Sequence, residues 1–146
     1  MTMPIEPVRF HFDVNGENFT SAGEASVKVK KRLRQLNIAP DIIRRVSIAM
    51  YEGEINMVIH ANGGEADVLV YPDKIQIILK DTGPGIANVE LAMQEGFSTA
   101  KDNVRSLGFG AGMGLPNMKR YTDSMNIDTQ VGVGTTVTME VMIPQQ

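Results

Sequence analysis

Residues 40–61 predict a long amphipathic helix whose packing face carries a polar row. Glu52, Asn56 and His60 recur every four residues, so their side chains form one column on the helix. The column points towards the side that is expected to pack on a sheet. Gly53 lies beside the column. Glycine in a helix interior destabilises the helix by up to about 1 kcal/mol, and its missing side chain makes room for either a ligand or a strand.

A carboxylate and an amide on a packing face need partners, because an unpaired buried polar group costs several kcal/mol. We expect the more polar Ser47 and Glu54 on the opposite face of the helix. Two interpretations of the column remain open from the helix alone. It is either a satisfied polar network in the core, or a pocket in which Glu52 acts as a base and Asn56 holds a cation.

Two glycine-rich segments supply the second constraint on the fold. Residues 81–86 read DTGPGI directly after a β-rich run, and residues 108–117 read GFGAGMGLPN just before a predicted helix. Glycine lets the backbone adopt positive φ or approach a ligand closely. Backbone N–H groups at the start of a helix favour an anion there. The second segment is therefore either an anion-binding loop, a hinge or a plain connector, and the helix start after it favours an anion.

The common nucleotide-binding motifs are absent from this chain. A GxGxxG pattern fails because Met113 and Leu115 stand where glycine is needed, and no Gly-Lys pair exists for a Walker A loop. Neither HRD nor DFG occurs, which excludes a eukaryotic-type protein kinase. The triplet at residues 81–83, Asp-Thr-Gly, also occurs in aspartic proteases. An aspartic protease mechanism gives no role to the glycines at 108–114 or to the Glu52 column.

Composition limits the possible partners and compartments. A net charge of −3 gives no reason to expect nucleic acid or an anionic membrane. With no cysteine and only two histidines, disulfides, thiolate catalysis and histidine-rich metal sites are excluded. The N-terminus lacks the pattern of a signal peptide, and no apolar run approaches the roughly 18 residues of a membrane span. We expect a cytoplasmic protein.

The remaining periodicity predicts one domain over residues 1–146 that mixes helices and antiparallel hairpins, an α+β two-layer sandwich. The predicted elements, in chain order, are a strand over 7–14, helices over 21–36 and 40–61, strands over 66–71 and 74–80, a short helix over 89–94, a helix over 114–124, and strands over 126–131 and 135–143. The first helix carries five basic residues at 28–34. They form either a solvated face or a docking patch for an acidic partner.

Four motifs in order resemble the N box and the three glycine boxes of the GHKL ATPase superfamily. They are Glu52-x-x-x-Asn56, Asp81-x-Gly83-x-Gly85, Gly108–Gly114 and Gly132-x-Gly134-Thr135-Thr136. Within the superfamily the chain is most similar to the small anti-sigma serine kinases and switch kinases of sporulation and stress pathways. The resemblance implies a Bergerat-type sandwich that holds ATP between helices and a mixed, mostly antiparallel sheet.

The resemblance also implies a role for each matching residue. Glu52 would be the general base, Asn56 would bind ATP through Mg²⁺, and Asp81 would accept a hydrogen bond from the adenine amino group. Residues 96–113 would form the ATP lid. The further ATP-binding positions that it implies are Gly83, Gly85, Gly108, Gly110, Gly112, Gly114, Leu115 and Thr136.

The function implied by this branch is phosphorylation of a serine or threonine on a STAS-type anti-sigma antagonist, with sequestration of a sigma factor as a further activity and a homodimer as the assembly. About 50 residues precede Glu52 and ten follow Thr136. We therefore expect neither the phosphoacceptor hairpin of a histidine kinase nor a second, lysine-supplying domain. Two alternatives stay open: a non-catalytic module that binds partners in an ATP-dependent way, and an ATPase fragment that serves a larger complex.

Overall fold

A computed structural model describes residues 6–16, 22–61, 63–94 and 114–145 of the chain. The elements, in chain order, are β1 (Val8–Asn15), α1 (Glu24–Gln35), α2 (Pro40–Ala61), β2 (Gly63–Val70), β3 (Lys74–Asp81), α3 (Val89–Ala92), α4 (Gly114–Arg120), β4 (Ser124–Gln130) and β5 (Gly134–Met142). They confirm the α+β two-layer sandwich predicted from the sequence.

The five strands form one sheet in the order β1-β2-β3-β5-β4. All four pairings between the described strands are antiparallel, as expected for a mostly antiparallel sheet, and no parallel pair of the expected mixed sheet occurs in this part of the chain. The reason lies in the β4–β5 hairpin, which reverses the chain and inserts β5 between β4 and β3. The inserted strand then runs opposite to both of its neighbours.

Strict alternation of apolar residues directs one face of the sheet towards the helices. On β3, Ile75, Ile77 and Leu79 are buried, and each is paired directly with a buried residue of β5. Side chains alternate across a strand, so the intervening residues face the other way. The core is completed from above by apolar residues of α1, α2 and α4, including Leu33, Met50 and Met118.

The long helix α2 has the predicted bounds and occupies the middle of the helical layer. Its inner side packs on the sheet, and α1 and α4 pack against its flanks. Gly53 fits here because a Cβ at that position would collide with the Leu79 side chain and would lie 3.2 Å from the Met118 methyl group. The missing side chain therefore makes room for a strand and a neighbouring helix.

The expectation that Glu54 and Ser47 face away from the core is wrong. Glu54 is only 3% exposed, and the Ser47 Oγ is also buried. The physical reason is α1, which covers this face of α2 and turns an expected solvent surface into an interface between helices. Helix α4 is also shorter than predicted. It ends at Arg120, where the Thr122 hydroxyl donates to the Met118 carbonyl.

No helix in the described parts of the chain is long and apolar enough to cross a membrane.

Candidate functional site

The polar column of α2 faces α4 and is only partly withdrawn from solvent. Glu52 and Asn56 are half-buried, whereas His60, near the C-terminal end of the helix, keeps an exposed surface. Desolvation by the surrounding protein lowers the pKa of His60 below its ordinary value. A half-buried carboxylate and amide, one helical turn apart, are accessible to a ligand yet held by the protein.

The first residue of α4 lies directly against the Asn56 amide. A Cβ added to Gly114 would lie 2.7 Å from Oδ1 and 2.8 Å from Nδ2 of Asn56, which is closer than real side chains approach. One turn further along the same helix, the Met118 sulfur accepts a weak hydrogen bond of 3.8 Å from Asn56 Nδ2. Oδ1 accepts no hydrogen bond from the residues that the structure describes, so this oxygen is free to act as a ligand.

A second contact joins the same two helices at the other member of the column. Asn117 Nδ2 donates to Glu52 Oε1 over 3.3 Å in a partly buried position. Residues 114 and 117 are one turn apart on α4, and they contact the two column residues that are one turn apart on α2. The helix that follows the glycine segment therefore touches both predicted chemical groups.

At the end of β3, the carboxylate of Asp81 connects the loop after β3 to the start of β5. Its Oδ1 accepts hydrogen bonds from the backbone nitrogens of Gly83, at 2.9 Å, and Thr135, at 3.3 Å. Among the described residues, none donates to Oδ2. One oxygen of Asp81 therefore organises the local backbone, and the other remains an acceptor for a ligand.

Gly83 and Gly85 let the loop after β3 fit between α2 and the β4–β5 hairpin. A Cβ at Gly83 would lie 2.6 Å from the Ala61 Cβ, at the C-terminal end of α2. Gly85 adopts a positive φ of 78°, and its backbone lies against the carbonyl of Gln130. The Gly132 nitrogen donates to the Pro84 carbonyl over 2.9 Å and closes this contact.

The two threonines after Gly134 lie on opposite faces of β5. Thr135 is buried, is paired directly with Asp81, and exchanges a hydrogen bond of 2.8 Å with the Thr129 hydroxyl. Thr136 is paired with Lys80, on the face that alternates away from the helices. The structure therefore brings Thr135, and not the predicted Thr136, beside Asp81.

Three of the predicted phosphate-binding glycines, Gly108, Gly110 and Gly112, lie outside the described residues, as does the predicted lid over 96–113. Leu115 follows Gly114 at the start of α4 and is half-buried against the core.

Sequence reasoning missed three residues of this region: Asn117, Thr135 and Glu54. The alternation of Val137, Met139 and Val141 on β5 extends back to position 135, so a strand pattern alone could have selected Thr135. No comparable signal exists for Asn117 and Glu54, because their contacts join residues far apart in the sequence.

A family model described as "Histidine kinase-, DNA gyrase B-, and HSP90-like ATPase" matches residues 41–145, well over half of the chain. The match spans the α2 column, the Asp81 loop and the β4–β5 hairpin. The chain belongs to this GHKL ATPase family. Membership implies that ATP is its ligand.

Curated relatives place the chain within the anti-sigma factor and switch kinase branch of the family. An anti-sigma F factor of Geobacillus is 30% identical over 125 residues, 82% of each chain. One from Clostridium beijerinckii is 32% identical over 122 residues, covering 80% of this chain and 82% of the relative. The serine/threonine-protein kinase RsbT of Bacillus subtilis is 31% identical over 97 residues, covering 64% and 67%.

Solved structures agree on the fold. A Mycobacterium tuberculosis structure of RsbU and RsbW domains superposes with a TM-score of 0.60 at 13% identity, covering 95% of this chain and 33% of that one. The mycobacterial sensor histidine kinase MprB gives a TM-score of 0.54 at 18% identity, covering 95% and 100%. At such low identity these structures bear on the fold alone.

Proposed function

We propose that this GHKL protein is an ATP-dependent serine/threonine kinase that phosphorylates a STAS-type anti-sigma antagonist. The observation that carries the proposal is the pair Glu52 and Asn56, one helical turn apart on α2 and both in contact with α4. This pair can address a nucleophile and a metal-bound phosphate together, which is what phosphoryl transfer requires from a protein.

Two positions along α2, its C-terminal end and Glu52 near its middle, support an orientation for the bound nucleotide. The Asp81 loop contacts Ala61, and Glu52 lies nine residues earlier, about 14 Å along the helix axis. Adenine would sit beside Asp81 and the phosphates would extend towards Glu52. Thr135, Gly83 and Gly85 would shape the adenine end. Gly114 and Leu115, together with the glycines at 108, 110 and 112, would surround the phosphates.

The residues present fit a magnesium ion. Mg²⁺ prefers oxygen ligands, and Asn56 Oδ1 is a half-buried amide oxygen that no described donor occupies. Asn56 would hold the ion, which would neutralise charge on the phosphates of ATP. The proposal for Asn56 thus combines ATP and metal binding in one side chain.

Glu52 would act as the general base of the transfer. Its carboxylate would accept the proton of the attacking serine or threonine hydroxyl, and that oxygen would form a bond to the γ-phosphorus. The bond between the γ-phosphorus and the β–γ bridging oxygen would break, and ADP would leave. The products are a phosphorylated antagonist and ADP.

The proposal is tested by incubating the purified chain with γ-labelled ATP and each STAS-domain protein of the source organism. We expect stoichiometric phosphoserine or phosphothreonine on one of them. Glu52→Gln should reduce labelling to a small residual rate, and Glu65→Gln, an exposed change on the far face of the sheet, should preserve it. Tight ATP binding with no labelled STAS protein would contradict the kinase proposal.

A second candidate is a non-catalytic module in which ATP shapes a surface that holds a partner such as a sigma factor. The observation that favours it is α1, where five exposed cations, at 28, 30, 31, 32 and 34, pair with no carboxylate in the described parts of the chain. This candidate predicts that Glu52→Gln keeps partner binding and regulation intact. We propose a homodimer for both candidates, which light scattering would measure.

A further inference from the structure

Asn117 presents a hydrogen-bond donor to the carboxylate that the proposed mechanism uses. Its Nδ2 lies 3.3 Å from Glu52 Oε1 across the interface between α4 and α2, and both side chains are half-buried. An asparagine amide can donate through nitrogen, whereas the ionised carboxylate can only accept. The polarity of the contact is therefore fixed.

Contacts other than the hydrogen bond between Asn117 and Glu52 hold α4 on α2. Met118, 1% exposed, packs under Gly53 in the core. Just after the C-terminal end of α4, the Tyr121 carbonyl accepts a hydrogen bond of 3.2 Å from Arg45 Nε. These contacts fix the position of α4, so the helix does not depend on the Asn117 bond for its placement.

A glutamate side chain has several rotatable bonds, and a general base must meet its proton in one geometry. A single fixed donor on one carboxylate oxygen restricts the rotation of the side chain and leaves the other oxygen to face the substrate. Hydrogen bonds to charged groups contribute more than neutral ones, and they commonly tighten from long ground-state distances in the reactive complex. The 3.3 Å contact between Asn117 and Glu52 is long enough to tighten in this way.

We propose that Asn117 is a positioning residue that orients the Glu52 carboxylate for proton transfer. The inference rests on the proposed kinase function, since it assigns Asn117 to the base of that reaction. It concerns the turnover step and leaves ATP binding to Asn56, Asp81 and the glycine loops.

The test compares Asn117→Leu, which keeps the size and removes the donor, with Asn117→Gln, which keeps a donor on a longer side chain. We expect Asn117→Leu to lower kcat about 10- to 100-fold, which corresponds to the loss of one hydrogen bond to a charged group. KM for ATP should change by less than about twofold. Asn117→Gln should recover part of the loss. Asn126→Leu, on the exposed far face of the sheet, is the control.

A double variant separates positioning from general damage. In a Glu52→Gln background no carboxylate remains to be oriented, so adding Asn117→Leu should change the residual rate less than twofold. The inference is overturned if Asn117→Leu turns over like the wild type, or if its effect persists in full in the Glu52→Gln background.

A measurement that needs no turnover keeps the inference distinct from the proposed function. The side-chain NH₂ resonances of Asn117 should shift on Glu52→Gln and stay unchanged on Glu65→Gln. If the wild type phosphorylates no STAS protein, the kinase proposal fails, and these resonances then decide alone whether Asn117 binds Glu52. Unshifted resonances would overturn the inference whatever the activity.

Discussion

The carboxylate of Glu54 accepts a hydrogen bond of 2.8 Å from the backbone nitrogen of Gly23, 31 residues earlier in the chain. It also accepts from the nitrogens of Ala25 and Ser26, at 3.2 and 3.1 Å. These are N–H groups that the start of a helix leaves without an intrahelical partner. Gly23 has no side chain to cap α1, so Glu54 of α2 replaces the usual N-cap residue.

We expect Glu54→Ala to lower the free energy of unfolding by about 3 kcal/mol, because three buried N–H groups lose their acceptor. Urea unfolding of the purified chain measures the change. The matched control is Glu65→Ala, an exposed change that should stay within about 0.5 kcal/mol. A similar loss in both variants would show that Glu54 is not a cap.

Gly53→Ala should destabilise the protein even though alanine is the better helix former by about 1 kcal/mol. Its Cβ would collide with Leu79, and overpacking a dense core commonly costs about 1–3 kcal/mol. The double variant Gly53→Ala/Leu79→Ala should lose less than the sum of the single variants, as measured by thermal unfolding. Additive losses would argue against a direct clash.

Gly114→Ala should weaken ATP binding in the presence of magnesium by about tenfold or more. The added methyl group occupies space now held by the Asn56 amide and would displace the proposed metal ligand. Calorimetric titration with Mg-ATP measures the effect. Gly132→Asn serves as control, since no atom of the described residues lies within 4 Å of a Cβ there and asparagine tolerates positive φ. Equal affinities would remove Asn56 from the metal site.

Thr135→Val and Thr136→Val form a matched pair on adjacent residues. We expect Thr135→Val to weaken ATP binding several-fold, because it removes a hydroxyl beside Asp81 and leaves Thr129 without that partner. Thr136→Val, on the other face of β5, should bind ATP like the wild type. The reverse outcome would support the position predicted from the motif.

The two histidines should titrate on opposite sides of their ordinary pKa of 6.5. A hydrogen bond with Asp67, assisted by Asp13, raises the pKa of His11, whereas desolvation lowers that of His60. The stabilisation from the His11 pair is therefore complete below 6.5 and is lost as pH rises through the higher pKa of the folded state. NMR titration should show the His11 pKa falling towards 6.5 in Asp67→Asn, while that of His60 stays constant.

Local patterning was enough to predict much of the fold. The bounds of α2 and the β2–β3 hairpin follow from periodicity and turn residues, since each depends on neighbours in the sequence. The burial of Glu54 could not be predicted in that way. A glutamate on the face opposite the polar column belongs on the solvent side unless α1 packs there, and no local rule places α1.

The candidate site shows the same division between local and distant contacts. Motif spacing was enough to propose Glu52, Asn56 and Asp81 as site residues, because each belongs to a short motif. It did not identify Asn117, whose partner is 65 residues away. It proposed Thr136 for the adenine end, whereas the register of β5 against β3 pairs Thr135 with Asp81 and Thr136 with Lys80.

The two oxygens of Asp81 would have different tasks in the proposed site. One binds the protein backbone, and the other would bind the base. Oδ1 accepts hydrogen bonds from the Gly83 loop and from the start of β5, and in the proposed site Oδ2 would accept one from the bound base. Replacing Asp81 with asparagine can keep the first oxygen and turn the second position into a donor. The surrounding backbone would stay in place while the polarity offered to the base is inverted. A single substitution could thus exchange preference for an amino-bearing purine for preference for one that carries a carbonyl.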